Sequence, residues 1–291
     1  MKNQKGTVIE EYPGLSELDP GMRPELHPRF SALTEGVSEF TFANLYLFRE
    51  THSYRIARLD EDKFFITGTN GGGKFFMLPF GLPDRKLLDE FFKEFSSMKC
   101  VPEAMAAELR EMGRGVTEDR DNFDYLYLRE ELTRLSGGKF HKKKNRVKAF
   151  VNRYSCEGRP LIEEYMPDAV EVLRLWREGR DDPGDYTAAK EALSMTEELQ
   201  LCGGIYYVDG KPAAYTLGEE IAGGDTFVTH FEKGVPGYTG LLQFVNQAFA
   251  SILPEKYRYI NREQDLGEPG LREAKASYRP TGFVKKYLVT R

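Results

Sequence analysis

Two stretches of the chain run through the same order of elements, and that repeat limits the folds open to it. SYRIARLDEDKFFITGT (53–69) reads as a hairpin with β-rich arms and a turn at Asp60-Glu61-Asp62. Asn70-Gly71-Gly72-Gly73 breaks the chain, and KFFMLPFG (74–81) reads as a third strand. DRKLLDEFFKEFSSM (84–98) then places Leu87, Leu88, Phe91, Phe92 and Phe95 on one helical face. Residues 203–253 repeat this order. GGIYYVDGKPAAYTLGEEI is a hairpin about Asp209-Gly210, Gly223-Gly224 interrupts it, DTFVTHFEKG is a strand and GYTGLLQFVNQAFASIL is a helix. Few residues match between the two stretches, but the order does, and an internal duplication of one α/β unit accounts for both.

The remaining chain fits around these units. Residues 1–30 are rich in proline and read as irregular, with Pro13, Pro20, Pro24 and Pro28 opposing a long helix. SEFTFANLYLFRE (38–50) reads as a short buried helix, and FDYLYLREELTRL (123–135) as a strand leading into a helix. Helices are expected over 167–180 and 185–201, strands over 256–261 and 282–289, and a helix over 269–278 that Pro269 suits at its first turn. Gly158 and Pro160 mark the boundary, giving an N-terminal domain over 1–158 and a C-terminal domain over 159–291. A length of 291 residues with 40% hydrophobic and 13% aromatic content supports real cores and excludes wholesale disorder. Cys100, Cys156 and Cys202 are odd in number and far apart, so neither a disulfide framework nor a metal site is expected. The N-terminus lacks the apolar core of a signal peptide, and no run approaches the roughly 20 apolar residues of a membrane span. A cytoplasmic protein with no integral membrane segment is expected.

A hairpin, a strand, a helix and a further strand in a mixed sheet is the layout of a GNAT-type acyltransferase half, in which two splayed strands open a site for the acyl donor. Here those strands are DTFVTHFEK and KYRYIN. Alternation puts Val228, His230 and Glu232 on one face, so His230 is either packed beneath a helix with its nitrogen satisfied or an acid–base partner of Glu232. KGVPGYTG (233–240) opens a helix whose free N–H groups at Gly237, Tyr238 and Gly240 are candidates for a cofactor phosphate. Its glycine spacing departs from the usual GNAT pyrophosphate signature. INREQDLGEPGLREAKASYRP (260–280) packs Asn261, Arg262, Glu263, Gln264 and Asp265 at a strand exit, where open α/β folds bind ligands. The N-terminal counterpart, GGGKFFMLPFG, holds no acid and is expected to be structural.

FTFANLYLFR (40–49), GGKFHKKKNRVKAF (137–150), HFEKG…YTGLLQFVNQAFA (230–250) and INREQDLGEPGLREAKASYRP (260–280) together resemble the C-terminal-domain family of bacterial phosphatidylglycerol lysyltransferases, over about residues 20–290. The resemblance implies two tandem GNAT-like halves with mixed sheets and flanking helices, as in Fem-type aminoacyltransferases. It implies transfer of an aminoacyl group from tRNA to an acceptor, here a hydroxyl or amine of a small molecule or peptide. It places Lys143, Lys144, Asn145, Glu232, Lys233, Asn261, Glu263, Asp265, Lys275 and Tyr278 on motif positions. Glu232, Glu263 and Asp265 are the candidate catalytic carboxylates. Arg262 joins Lys143, Lys144, Asn145, Lys233, Asn261, Lys275 and Tyr278 as a candidate for substrate binding. The lipid-modifying members carry a large transmembrane region that this sequence does not show.

A net charge of −5 contrasts with residues 139–153, which hold seven Lys or Arg and no acid. Phe140, Val147, Phe150, Val151 and Tyr154 recur at helical spacing there, and Lys143 and Lys144 fall on the side that turns inward. A buried lysine needs an anion, which is either a nearby carboxylate or a tRNA phosphate. Two other readings stay open: a coenzyme-A-dependent N-acetyltransferase using acetyl-CoA, and a non-catalytic module that senses an amino acid or peptide.

Overall fold

The computed structural model describes residues 8–291, so the start of the segment read for a leader, residues 1–7, lies outside the described residues. Fourteen strands form two seven-stranded mixed sheets. The first contains β1 (Ser16–Glu17), β2 (Arg55–Arg58), β3 (Phe64–Asn70), β4 (Gly73–Met77), β5 (Ser97–Val101) and β6 (Gly115–Glu118). The chain then passes to the second sheet with β7 (Asp124–Leu128), β8 (Cys156–Pro160), β9 (Cys202–Val208), β10 (Lys211–Ile221), β11 (Thr226–Gly234), β12 (Tyr259–Asn261) and β13 (Gly282–Val284). β14 (Tyr287–Thr290) returns to the first sheet, between β5 and β6.

The duplication read from the sequence is visible in the pairing. β2, β3 and β4 run antiparallel, and a helix (Arg85–Glu94) leads to β5, parallel to β4. β9, β10 and β11 run antiparallel, and a helix (Leu241–Ile252) leads to β12, parallel to β11. Each helix seals one sheet. Phe65 and Phe76 meet Phe91 under the first, while Phe227 meets Phe249 under the second. A third core joins the halves, with Phe42, Leu45 and Ile66 packing in one cluster with Val172, Ala189 and Leu217.

The expected division at residue 158 falls inside β8, and the two sheets exchange strands across it. β7 is paired antiparallel to β12, although it precedes the division, and β14 is paired antiparallel to β5. Residues 282–289, expected as one strand, are therefore two, in different sheets. The cause is Lys286. It is fully buried between them and donates to Asp124 Oδ1 at 2.6 Å, to Ser38 Oγ at 3.3 Å and to Glu39. The proline-rich start also differs from expectation: Arg23–Ser31 is a helix with Pro24 in its first turn, where no N–H partner is lost, and Pro28 inside it. Among the described residues no helix is long and apolar enough to cross a membrane.

Candidate active site

β11 and β12 share only three register pairs, Thr226–Tyr259 to Val228–Asn261. Beyond them β11 continues to Gly234 while the other chain turns away at Arg262. The turn is tightly held. Glu263 adopts a left-handed φ of 54°, its N–H donates to Asn261 Oδ1 at 2.8 Å, and its carbonyl accepts from Tyr125 N at 3.1 Å. Arg262 N donates to Tyr125 O at 3.0 Å, so the exchanged strand β7 carries the turn. Lys275, from the helix Pro269–Ala276, donates to the carbonyls of Arg262, Glu263 and Gln264 at 2.6, 3.1 and 2.5 Å. Burial pushes its ammonium down to about 8.

The opening leads into a cavity of about 880 Å³. The second half lines it with His230, Glu232, Arg262, Glu263 and Tyr278, joined by Lys143 from the helix His141–Arg153. The first half contributes Asn44, His52, Phe75, Met77, Lys99 and Cys100, so the N-terminal repeat, expected to be only structural, forms one wall.

His230 is 8% exposed and has a carboxylate on each ring nitrogen. Nδ1 donates to Glu263 Oε1 at 2.8 Å and Nε2 to Glu219 Oε1 at 3.0 Å. Burial disfavours the charged ring, but the bonds to Glu219 and Glu263 outweigh it and raise the imidazole to about 10. A charged ring at neutral pH follows from these two bonds, and it holds Glu263 in place. Asn44 Nδ2 also approaches Glu263 Oε1, at 3.5 Å, and both residues line the cavity. Glu219 was not a sequence candidate. It follows a bulge at Leu217-Gly218, where a Cβ on Gly218 would lie 1.9 Å from Val228 O, and AAYTLGEEI does not by itself separate the buried Glu219 from its neighbour Glu220.

Glu232 accepts both Asn246 Nδ2, at 2.9 Å to each oxygen, and Arg262 Nη2 at 3.1 Å, so its charge is spent on positioning Arg262. Lys233 lines the cavity over Trp176 and donates to both oxygens of Asp185 at 2.5 and 2.7 Å. Lys143 is buried over the ring of Tyr278, whereas Lys144 and Asn145 on the same helix (His141–Arg153) are exposed, and Asn145 pairs with His141 at 2.9 Å. The inward direction expected for both lysines therefore holds for Lys143 alone, because Lys144 is rotated about 100° further round the helix.

Asn261 and Asp265 lie behind the turn and do not line the cavity. Asp265 is fully buried and accepts from Tyr125 Oη at 2.6 Å, Arg272 Nε at 2.9 Å and Gly267 N at 2.9 Å. Burial alone would raise its carboxyl, but Arg272 and Tyr125 hold it well below the ordinary carboxylate range. Such a group stabilises the fold fully above its unfolded value and ceases to do so as pH falls toward the folded one. Asp265→Asn is expected to lower the melting temperature at pH 7, with the gap to wild type shrinking below about pH 4. A gap that stays constant from pH 7 to pH 3 contradicts this anchoring role.

Gly237, Tyr238 and Gly240 precede the helix Leu241–Ile252, and of the three only Gly240 is buried. A Cβ on Gly240, which has φ 98°, would lie 3.1 Å from Arg146 O and 3.2 Å from Phe150 Cβ of the basic helix. Tyr238 meets Tyr154 edge-on at 5.2 Å. Gly237 and Thr239 are exposed, and Leu242, Gln243 and Asn246 of the helix line the cavity.

The sequence profile described as "Phosphatidylglycerol lysyltransferase, C-terminal" matches residues 30–290. The chain belongs to that family. Within the phosphatidylglycerol lysyltransferase C-terminal family and its neighbours, several solved structures resemble it. A conserved protein of unknown function from Bacteroides thetaiotaomicron is 32% identical with a TM-score of 0.85, covering 94% of this chain and 98% of that one. L-PGS from Bacillus licheniformis shares the fold at 14% identity and a TM-score of 0.64, over 98% of this chain and 94% of that one. FemX shares it at 9% identity and a TM-score of 0.56, over 91% and 95%. The architecture is a tandem GNAT fold. A curated relative, an uncharacterized protein of Mycoplasmoides gallisepticum, is 25% identical over 177 residues, and the match spans 57% of this chain and 55% of that relative's length.

Proposed function

We propose that the chain is an aminoacyltransferase that moves an aminoacyl group from aminoacyl-tRNA to a hydroxyl or amine acceptor bound in the cavity. The observation that carries this reading is Glu263, held by the His230 imidazolium at 2.8 Å within the opening between β11 and β12. Family membership and the Fem-type fold support the same reaction class. The Glu263 carboxylate accepts the proton of the attacking hydroxyl or amine. The nucleophile adds to the ester carbonyl, the carbonyl–ribose C–O bond breaks, and the ribose hydroxyl leaves with a proton. No covalent enzyme intermediate is needed. Cations at the cavity wall stabilise the oxyanion that forms on the carbonyl. Glu232 and Asp265 position Arg262 and the turn and take no part in proton transfer. The coenzyme A alternative would seat its pyrophosphate at Gly237–Gly240, where Gly240 packs against the basic helix.

The test is deacylation of a mixed pool of aminoacyl-tRNAs, with and without pooled small amines and alcohols. Acceptor-dependent deacylation with a new ester or amide product is expected. Binding of the tRNA should weaken about tenfold or more between 50 and 200 mM salt, and weaken further in a Lys142→Ala, Lys144→Ala double variant. Absence of any acceptor-dependent product, with acetyl-CoA turnover instead, overturns the reading.

A further inference from the structure

The cavity contains one buried cation with no anion, Lys143, and beside it a guanidinium with one unfilled nitrogen, Arg262. Lys143 is 9% exposed, and among the described residues its ammonium has neither a hydrogen bond nor an ion pair, only the face of Tyr278 at 3.9 Å. The charges that act on it, Arg146 and Arg262, have its own sign. Arg262 spends Nη2 on Glu232, while its Nη1 is buried with no acceptor. Its guanidinium lies 5.2 Å from the centre of the same Tyr278 ring. The surrounding acids do not reach Lys143: Glu232 is bonded to Asn246 and to Nη2 of Arg262, and Glu263 to His230. Like charges gathered on one ring, with donors unfilled, are a poor arrangement for a folded protein by itself and a good one for an anionic ligand.

We propose that Lys143 Nζ and Arg262 Nη1 form an anion subsite that takes the phosphate ester group of a reactant. A phosphate ester presents several acceptor oxygens and carries enough charge to meet both cations. Exposed Lys142, Lys144, Arg146 and Lys148 on the same helix raise the positive potential around the subsite. The subsite rests on the aminoacyl-transfer reading only in assigning the phosphate to a reactant of that reaction. Its binding chemistry is independent of turnover.

Calorimetric titration of the full chain with inorganic phosphate, adenosine 5′-monophosphate and glycerol 3-phosphate tests it. All three are expected to bind wild type at pH 7. Lys143→Met should weaken binding about tenfold or more, since a charge-assisted donor is lost, while Lys143→Arg should retain most of it. Lys190→Met, an exposed site on the helix Tyr186–Ser194, should change nothing. Burial beside Arg146 and Arg262 pushes Lys143 down to about 8, so from pH 7 to pH 9 wild type should weaken relative to Lys143→Arg. Tighter binding of the nucleotide assigns the phosphate to a nucleic-acid end, and tighter binding of glycerol 3-phosphate assigns it to an alcohol phosphate. No binding of any of the three to folded wild type, or equal binding to Lys143→Met, overturns the subsite. Transfer activity without phosphate binding removes the subsite and leaves the function standing, and phosphate binding without transfer does the reverse.

Discussion

Glu263→Gln is expected to lower aminoacyl transfer by about 10²–10⁴-fold while leaving the fold and tRNA binding near wild type. The amide keeps the shape and can still accept a hydrogen bond from His230, but it cannot take a proton from the acceptor. Glu219→Gln acts at one remove. It leaves His230 with one ionised partner instead of two, so the imidazolium is less favoured and Glu263 is less firmly held. The expected signature is a pH profile. With both carboxylates present, the ring stays charged up to about 10. A histidine raised above its unfolded value stabilises the fold fully below about pH 6.5, less as pH climbs, and not at all above the folded value. Glu219→Gln should therefore shift the alkaline limit of activity to lower pH, and His230→Gln should erase the histidine's contribution. Equal activity of Glu263→Gln and wild type, with product confirmed, removes the carboxylate from the mechanism. A Glu219→Gln enzyme with reduced rate but an unmoved alkaline limit assigns Glu219 to packing alone.

The parts of this site legible in the sequence are local in chain order. INREQ follows a short strand, so Asn261, Arg262 and Glu263 could be placed at a strand exit before any pairing was known. Helical spacing turned Lys143 inward, one turn before Val147, but gave Lys144 the same direction, and Lys144 is exposed. What the sequence did not separate is a carboxylate facing a cavity from one locked behind it. Glu263 and Asp265 are two residues apart, and their opposite fates depend on Tyr125 and Arg272, which reach Asp265 from a distant strand and from the following helix. Glu219 was missed for the same reason: its partner is 11 residues away on the neighbouring strand, and a bulge at Leu217-Gly218 resets which face it occupies. The strand exchange left a single local trace, a lysine pair inside the otherwise β-rich GFVKKYLV. Read as one strand, 282–289 would put the two lysines on opposite faces of one sheet, whereas Lys286 is fully buried and marks the step from one sheet to the other.

Lys286→Met is expected to be the most destabilising single change at this step, costing about 3–5 kcal/mol, because breaking a buried pair strands its partners' charge. Lys286 is enclosed with Asp124, Glu39 and Ser38, and burial already raises the Asp124 carboxyl despite the ammonium beside it. Without that ammonium two acids share the site unneutralised. Adding Asp124→Asn to Lys286→Met removes one of them and should recover part of the loss, so the pair will be non-additive in denaturant melts. The effect should also reach catalysis. Asp124 Oδ2 accepts from Asn261 Nδ2 at 3.2 Å, and Asn261 Oδ1 holds the N–H of Glu263 at 2.8 Å. The charge cluster that lets the two sheets exchange strands is thus two hydrogen bonds from the carboxylate in the cavity. A double variant that regains stability but not transfer would show that the cluster positions Glu263 in addition to joining the halves. Full recovery of both would confine it to the fold, and a Lys286→Met chain as stable as wild type would contradict the buried ion pair itself.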